Sequence, residues 1–131
     1  MTKMSELYQS DDWKNEKHVP VIEAPAAVQK DKPFQVSLAV GKEVSHPNTT
    51  EHHIRWIQLF FKADGAKFPY QAGAFNFTAH AESTDGPNQG VLTTSHAVVC
   101  TLSIKEPGTL IATSFCNIHG LWENSAGIRL E

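Results

Sequence analysis

Phe34-Gln35-Val36-Ser37-Leu38-Ala39-Val40 places Phe34, Val36, Leu38 and Val40 on one face, with Gln35, Ser37 and Ala39 on the other. Side chains alternate across an extended chain, so this period-two pattern predicts a β-strand with one apolar face. The same reading extends outward in both directions. Residues 18–25 (HVPVIEAP) are short and extended, and their prolines suit a sheet edge or a strand end. Residues 52–61 (HHIRWIQLFF) are rich in aromatic and branched side chains on both faces. Residues 74–82 and 91–104 alternate again, and residues 109–116 and 127–131 complete the set. Turn signals at Asp31-Lys32-Pro33, Ala63-Asp64-Gly65, Asp85-Gly86-Pro87-Asn88 and Glu106-Pro107-Gly108 separate the runs. About seven strands at this spacing, without a helical period, predict an all-β fold, an immunoglobulin-like antiparallel β-sandwich. The Cys–Trp–Cys spacing of antibody domains is missing, so function has to be read from a site.

Bulk properties narrow the classes. A chain of 131 residues fits one domain, 1–131, with residues 1–17 a polar lead segment holding at most a helical turn near residues 6–8. The hydrophobic fraction of 40% and charged fraction of 19% are those of a globular protein with its own core. A net charge of -3 supplies no basic field for nucleic acid or an anionic membrane. No apolar run approaches the ~20 residues of a membrane span. The polar N-terminus has no stretch resembling a signal peptide, which predicts a cytoplasmic protein. Cys100 and Cys116 are too few for a disulfide scaffold, and a reducing compartment disfavours a bridge between them.

Seven histidines are distributed unevenly along the chain. In Cys116-Asn117-Ile118-His119-Gly120, a cysteine at a strand end is followed three residues later by a histidine in a turn. Both side chains can reach one metal, Gly120 permits the tight turn, and the backbone N–H groups of Ile118 and His119 can point at the sulfur. A buried cysteine beside an incidental surface histidine explains that pair alone equally well. In His46-Pro47-Asn48-Thr49-Thr50-Glu51-His52-His53, a loop enters a strand, and two imidazoles six residues apart can converge on one ion. Within a regular strand His52 and His53 face opposite ways, and burial alone does not choose between them. Glu16-Lys17-His18-Val19-Pro20, taken alone, reads as a solvated approach to the first strand. His80 and His96 lie in alternating runs without a second donor at metal spacing and read as structural or surface residues. Cys100 shares a face with Val98, Leu102 and Ile104 and reads as a small core residue. Trp13, Trp56 and Trp122 read as packing groups.

Together the three motifs, with Leu121-Trp122-Glu123-Asn124 and Phe77-Thr78-Ala79-His80, resemble the superoxide reductases. The narrower resemblance is to the one-iron, neelaredoxin-type class, related to the iron domain of desulfoferrodoxin. It runs over nearly the whole chain, from about Asp12 to the C-terminus, with the motifs in order. The resemblance implies an immunoglobulin-like sandwich holding one iron ion, cycling between Fe2+ and Fe3+. Its implied ligands are His18, His46, His52 and His119 around the metal and the Cys116 thiolate on its axis. The resemblance selects His52 over His53, and it also implies that His119 coordinates through Nδ1 and the other histidines through Nε2. Glu16 is the implied sixth ligand of the ferric state, and Glu16 and Lys17 are the implied catalytic side chains. The N-terminal four-cysteine iron domain of the two-iron relatives has no counterpart here.

The implied reaction joins superoxide, two protons and one electron into hydrogen peroxide, without oxygen release. An external donor such as rubredoxin has to supply each electron, and the resemblance implies a homo-oligomer, specifically a homotetramer. The donor set suits the reading: four imidazoles and a thiolate exceed the four tetrahedral positions zinc favours, whereas iron accommodates a sixth position. A thiolate opposite an open position pushes electron density toward whatever binds there. The competing class is a copper electron-transfer protein of the cupredoxin kind, which also sets a Cys–His loop on a β-sandwich. Against it, no methionine follows His119, since both methionines fall within the first four residues.

Overall fold

The alternation at residues 34–40 is realised as strand β3 (Phe34–Val40), in which Phe34, Val36, Leu38 and Val40 are all buried. The computed structural model describes all 131 residues, Met1–Glu131. The remaining strands are β1 (Pro20–Glu23), β2 (Ala27–Val28), β4 (Ile54–Ala63), β5 (Tyr70–Asn76), β6 (Ala97–Leu102), β7 (Gly108–Cys116) and β8 (Gly120–Leu130). They form a three-stranded sheet in the order β1-β3-β6 and a five-stranded sheet in the order β2-β8-β7-β4-β5. Every pairing is antiparallel except that of β2 with β8. The result is the expected all-β sandwich, with eight strands in place of seven.

One apolar cluster fills the space between the sheets. It joins the inward residues of β3 to Ile54, Ile57 and Leu59 of β4, Leu110, Ala112 and Cys116 of β7, and Ile128 of β8. Cys116 therefore belongs to the core, at the end of β7, where it sits opposite Ile54 in the β4–β7 ladder.

Several boundaries differ from the sequence reading, each for a local reason. Strand β4 starts at Ile54, because residues 49–52 close a turn in which Thr49 N–H donates to the His52 carbonyl at 2.9 Å. A bulge between Ile54 and Trp56 then makes Ile54, Ile57 and Leu59 the buried residues, which breaks strict alternation. Strand β5 ends at Asn76; Phe77 N–H still donates to the Arg55 carbonyl of β4 at 2.8 Å, and beyond it His80 forms an isolated bridge with Thr93 outside both sheets. Residues 91–96 stay outside β6, with Val91 and Leu92 exposed. Strand β8 runs for eleven residues, far longer than the expected strand 127–131, because nine register pairs with β7 hold its polar half. The N-terminal turn is a 3-10 helix at Met4–Glu6.

Gly41 follows β3 with φ +78, and a Cβ placed there would lie 2.5 Å from the His46 backbone nitrogen and 2.9 Å from the His46 Cβ. The turn after β3 thus sets the position of His46 by close backbone approach. Gly41→Ala is expected to cost at least about 1–3 kcal/mol from the left-handed backbone alone, and to displace His46. Gly65→Ala, with open space around it, should stay within about 0.5 kcal/mol. Urea denaturation of the two variants checks the contrast.

Candidate metal centre

The ends of β7 and β8 and two loops bring the predicted donors together. The ligating atoms of His18, His52, Cys116 and His119 all lie within 4.8 Å of one another. His18 Nε2 is 3.1 Å from His119 Nδ1, and Cys116 Sγ is 3.8 Å from the same nitrogen. Donors about 3 Å apart are what metal–nitrogen bonds of about 2.1 Å at right angles require. The His46 ring adjoins this group, 4.9 Å from the His18 ring and 4.8 Å from the His52 ring between centroids.

Hydrogen bonding fixes which nitrogen of the His18 and His46 rings remains free. Glu16 Oε1 lies 2.7 Å from His18 Nδ1 and also accepts from the His18 backbone N–H at 3.1 Å. That pairing places the proton on Nδ1 and turns the Nε2 lone pair inward. His46 Nδ1 donates to the Pro47 carbonyl at 2.6 Å, and its Nε2 is buried without a partner. His52 Nε2 is likewise buried and unpartnered. Two orphaned imidazole nitrogens beside a cysteine in a dry setting are costly unless a Lewis acid occupies the space between them. The donor set fits a soft-to-borderline transition metal with more than four ligands.

Electrostatics keep these rings in the ligating, neutral form. Burial carries the His46 imidazole down to about 4 from an ordinary 6.5. Burial also lowers His18, although the Glu16 hydrogen bond opposes it, and lowers His52, with His119, His18 and Lys17 contributing. At Glu16 burial pushes upward, but the hydrogen bonds from His18 outweigh it, so the carboxyl is held below its ordinary value. Lys17 forms none of the ion pairs of the molecule, and its charge acts on Glu16, His18 and His52.

The Cys116 turn is tied to the 49–53 loop through Asn117. Asn117 N–H donates to the His53 carbonyl at 3.1 Å, His53 N–H donates to Asn117 Oδ1 at 2.9 Å, and Asn117 Nδ2 donates to the Glu51 carbonyl at 2.9 Å. Gly120 takes φ +80 to end the turn. His119 N–H donates to Cys116 Sγ at 3.3 Å. No matching bond comes from Ile118, whose N–H the sequence had suggested as a second donor.

His53 is turned away from the donor group. Its ring stacks on His80 at 3.4 Å with planes 9° apart, and its Nδ1 donates to the Thr49 carbonyl at 2.9 Å. His80 is thus a buried stacking partner rather than a surface residue. A surface cavity of about 540 Å³ opens beside this pair and Arg55 and takes in none of the four clustered donors. His96, ahead of β6, sets its ring 5.8 Å from His46. Both cysteines are free, and Cys100 is only partly buried. Asn117 and Gly41 are the positioning residues that motif reading missed. Gly41 carried no signal short of backbone geometry, whereas Asn117 sat inside a motif already singled out.

A β-sandwich with a histidine–cysteine cluster at one end defines a class of mononuclear metalloproteins. The family model described as desulfoferrodoxin matches residues 10–125, and the chain belongs to that family. It is 56% identical over 129 residues to neelaredoxin of Megalodesulfovibrio gigas, covering 98% of this chain and 99% of that protein. It is 51% identical over 121 residues to superoxide reductase of Pyrococcus furiosus, covering 92% and 95% respectively. The reduced superoxide reductase (neelaredoxin) of Archaeoglobus fulgidus superposes with a TM-score of 0.88 at 49% identity, covering 95% of this chain and 99% of that one. The copper reading finds no support, since Met1 and Met4 are both exposed near the N-terminus.

A histidine depressed on folding binds fewer protons folded than unfolded, so its contribution is complete above the unfolded value and lost as pH falls toward the folded one. Metal-free protein should therefore lose stability as pH drops from 6.5 toward about 4, the interval of His46. The burial-lowered His18 and His52 act in the same direction. Urea midpoints measured across that interval check the sign.

Proposed function

We propose that this protein reduces superoxide to hydrogen peroxide at one iron held by His18, His46, His52, His119 and Cys116. The observation that carries the reading is the convergence of four ligating atoms within 4.8 Å, beside two buried imidazole nitrogens that lack any partner. Iron, when bound, supplies the single electron and a coordination position open to a small anion.

The protein's own groups divide the remaining work. The Cys116 sulfur, fully buried and receiving the His119 N–H, donates charge from the core side. Glu16 holds the His18 ring through Nδ1, and its carboxylate would be a further group able to hold the ferric ion. Lys17 carries a positive charge that acts on His18 and His52, in a protein whose net charge of -3 repels superoxide. Each turnover consumes an electron, so a small one-electron donor protein such as rubredoxin returns it. We further propose a cytoplasmic homotetramer. The exposed Tyr70 on the β5 edge, Phe68 before it and Val99 on the β6 edge support self-association.

Purified protein is expected to hold about one iron per chain, as one site of this kind requires. Its ferric form should show a thiolate charge-transfer colour that bleaches on reduction. Cys116→Ser should abolish both the colour and the superoxide-reducing rate. Cys100→Ser, at a partly buried position, should keep the colour at a stability cost of no more than about 1–3 kcal/mol. A colourless Cys100→Ser beside a coloured Cys116→Ser would overturn the assignment.

Lys17→Ala tests the steering role. Opposite unit charges about 8 Å apart gain roughly 0.5 kcal/mol in bulk water and about 2 kcal/mol at an effective dielectric of 20. The variant should keep its iron and spectrum, yet capture superoxide roughly two- to thirtyfold more slowly at low salt. Its dependence on ionic strength should be flatter, and Lys17→Arg should recover part of the rate. Pulse radiolysis across a salt series measures all three.

A further inference from the structure

We propose that Trp122 is a positioning residue of the metal centre, its indole face restraining the His18 imidazole against tilting. The proposal rests on the assignment of His18 and His119 as ligands. An imidazole on a two-torsion side chain needs two independent restraints to hold its lone pair on one point. Glu16 supplies the first by gripping the Nδ1 edge at 2.7 Å, which limits rotation within the ring plane. Nothing in that bond prevents the plane from tilting. Trp122 supplies the second restraint: its ring lies against the His18 face with centroids 4.9 Å apart and planes 14° apart.

The same indole reaches the other end of the donor set. Trp122 Nε1 donates to the His119 carbonyl at 3.2 Å, and Gln9 Nε2 approaches that carbonyl at 3.5 Å. Trp122 itself is 8% exposed and fixed in β8 opposite Ser114 of β7. The chain leading to His18 is clipped to the same strand. Gln9 N–H donates to the Leu121 carbonyl at 3.1 Å, and Glu123 N–H donates to the Gln9 carbonyl at 2.8 Å. One rigid β8 side chain thus contacts two ligand-bearing segments that lie 101 residues apart in sequence. Donor atoms must be held within about 0.5 Å and 10–20° for a site to work, and packed neighbours supply that precision.

A packing role alone would affect stability without affecting the metal. The test therefore reads the metal and the His18 ring directly, in wild type, Trp122→Phe and Trp122→Leu. Iron-loaded protein is challenged with excess ferrous chelator, and the ferric charge-transfer band is recorded. Trp122→Phe keeps an aromatic face and loses the N–H, so it should release iron at close to the wild-type rate with at most a small band shift. Trp122→Leu loses the face, so it should release iron about two- to tenfold faster, the worth of one aromatic face contact, with a broadened and shifted band. In metal-free wild type, the His18 ring protons should resonate upfield under the indole ring current. That observation needs neither a folded Leu variant nor activity. The proposal is overturned if Trp122→Leu matches wild type in release and band, if Trp122→Phe is as impaired as Trp122→Leu, or if the His18 protons show no upfield shift. Wild-type protein that takes up no iron would instead sink the ligand assignment, before any variant is compared.

Discussion

The centre depends on one register, the pairing of Ile54 with Cys116 where the β4–β7 ladder ends. Because side chains alternate, a slip of one residue would carry Cys116 to the other face of the sheet and out of the core. The pairing also brings the turn after β7 against the loop before β4, where Asn117 and His53 exchange their backbone and amide hydrogen bonds. Those bonds lock the Cys116–His119 turn to the loop that presents His52. His46 enters from the turn after β3, and His18 from the chain leading into β1. The donors thus come from four separate segments, and the rigid ladder is what makes their meeting point reproducible.

The cost of this arrangement is concentrated in the imidazoles. Two of them are held in one tautomer by an outer partner: Glu16 for His18 and the Pro47 carbonyl for His46. The inner nitrogens of His46 and His52 are left buried and unsatisfied. An apolar core of the same shape would be more stable, so the fold carries a local penalty that a bound metal offsets. That penalty also preorganises the site, because the donors already sit near bonding positions and little rearrangement accompanies binding. His119 is the exposed member of the donor set.

Much of this was legible from the sequence, and the failures have identifiable causes. The alternation at residues 34–40 and the apolar run ending at Cys116 located β3 and β7, since buried strands announce themselves by composition. The motifs around His46, Cys116 and His119 located the cluster. What the pattern could not resolve was His52 against His53, because regular alternation does not hold there. A turn closes at His52, a bulge follows Ile54, and His53 is drawn off to stack on His80. The polar half of β8 was invisible because ladder pairing, not burial, maintains it. The run at residues 77–82 reads as a strand but leaves the sheet, since its His80 is engaged by His53. Trp122 read as a packing group, and sequence alone could not show that it packs on a donor.

The clip between Gln9 and β8 bears on how the protein is made. His18 is synthesised before Cys116, His119 and the strand that fastens the N-terminal segment. Small domains fold as units, and here the fastening strand β8 pairs along β7 through nine residue pairs. A nascent chain would therefore carry His18, His46 and His52 for most of its synthesis with no thiolate to join and no strand to hold them. The pocket closes only once β8 is in place. The complete donor set is accordingly assembled only after β8 has been made and paired with β7.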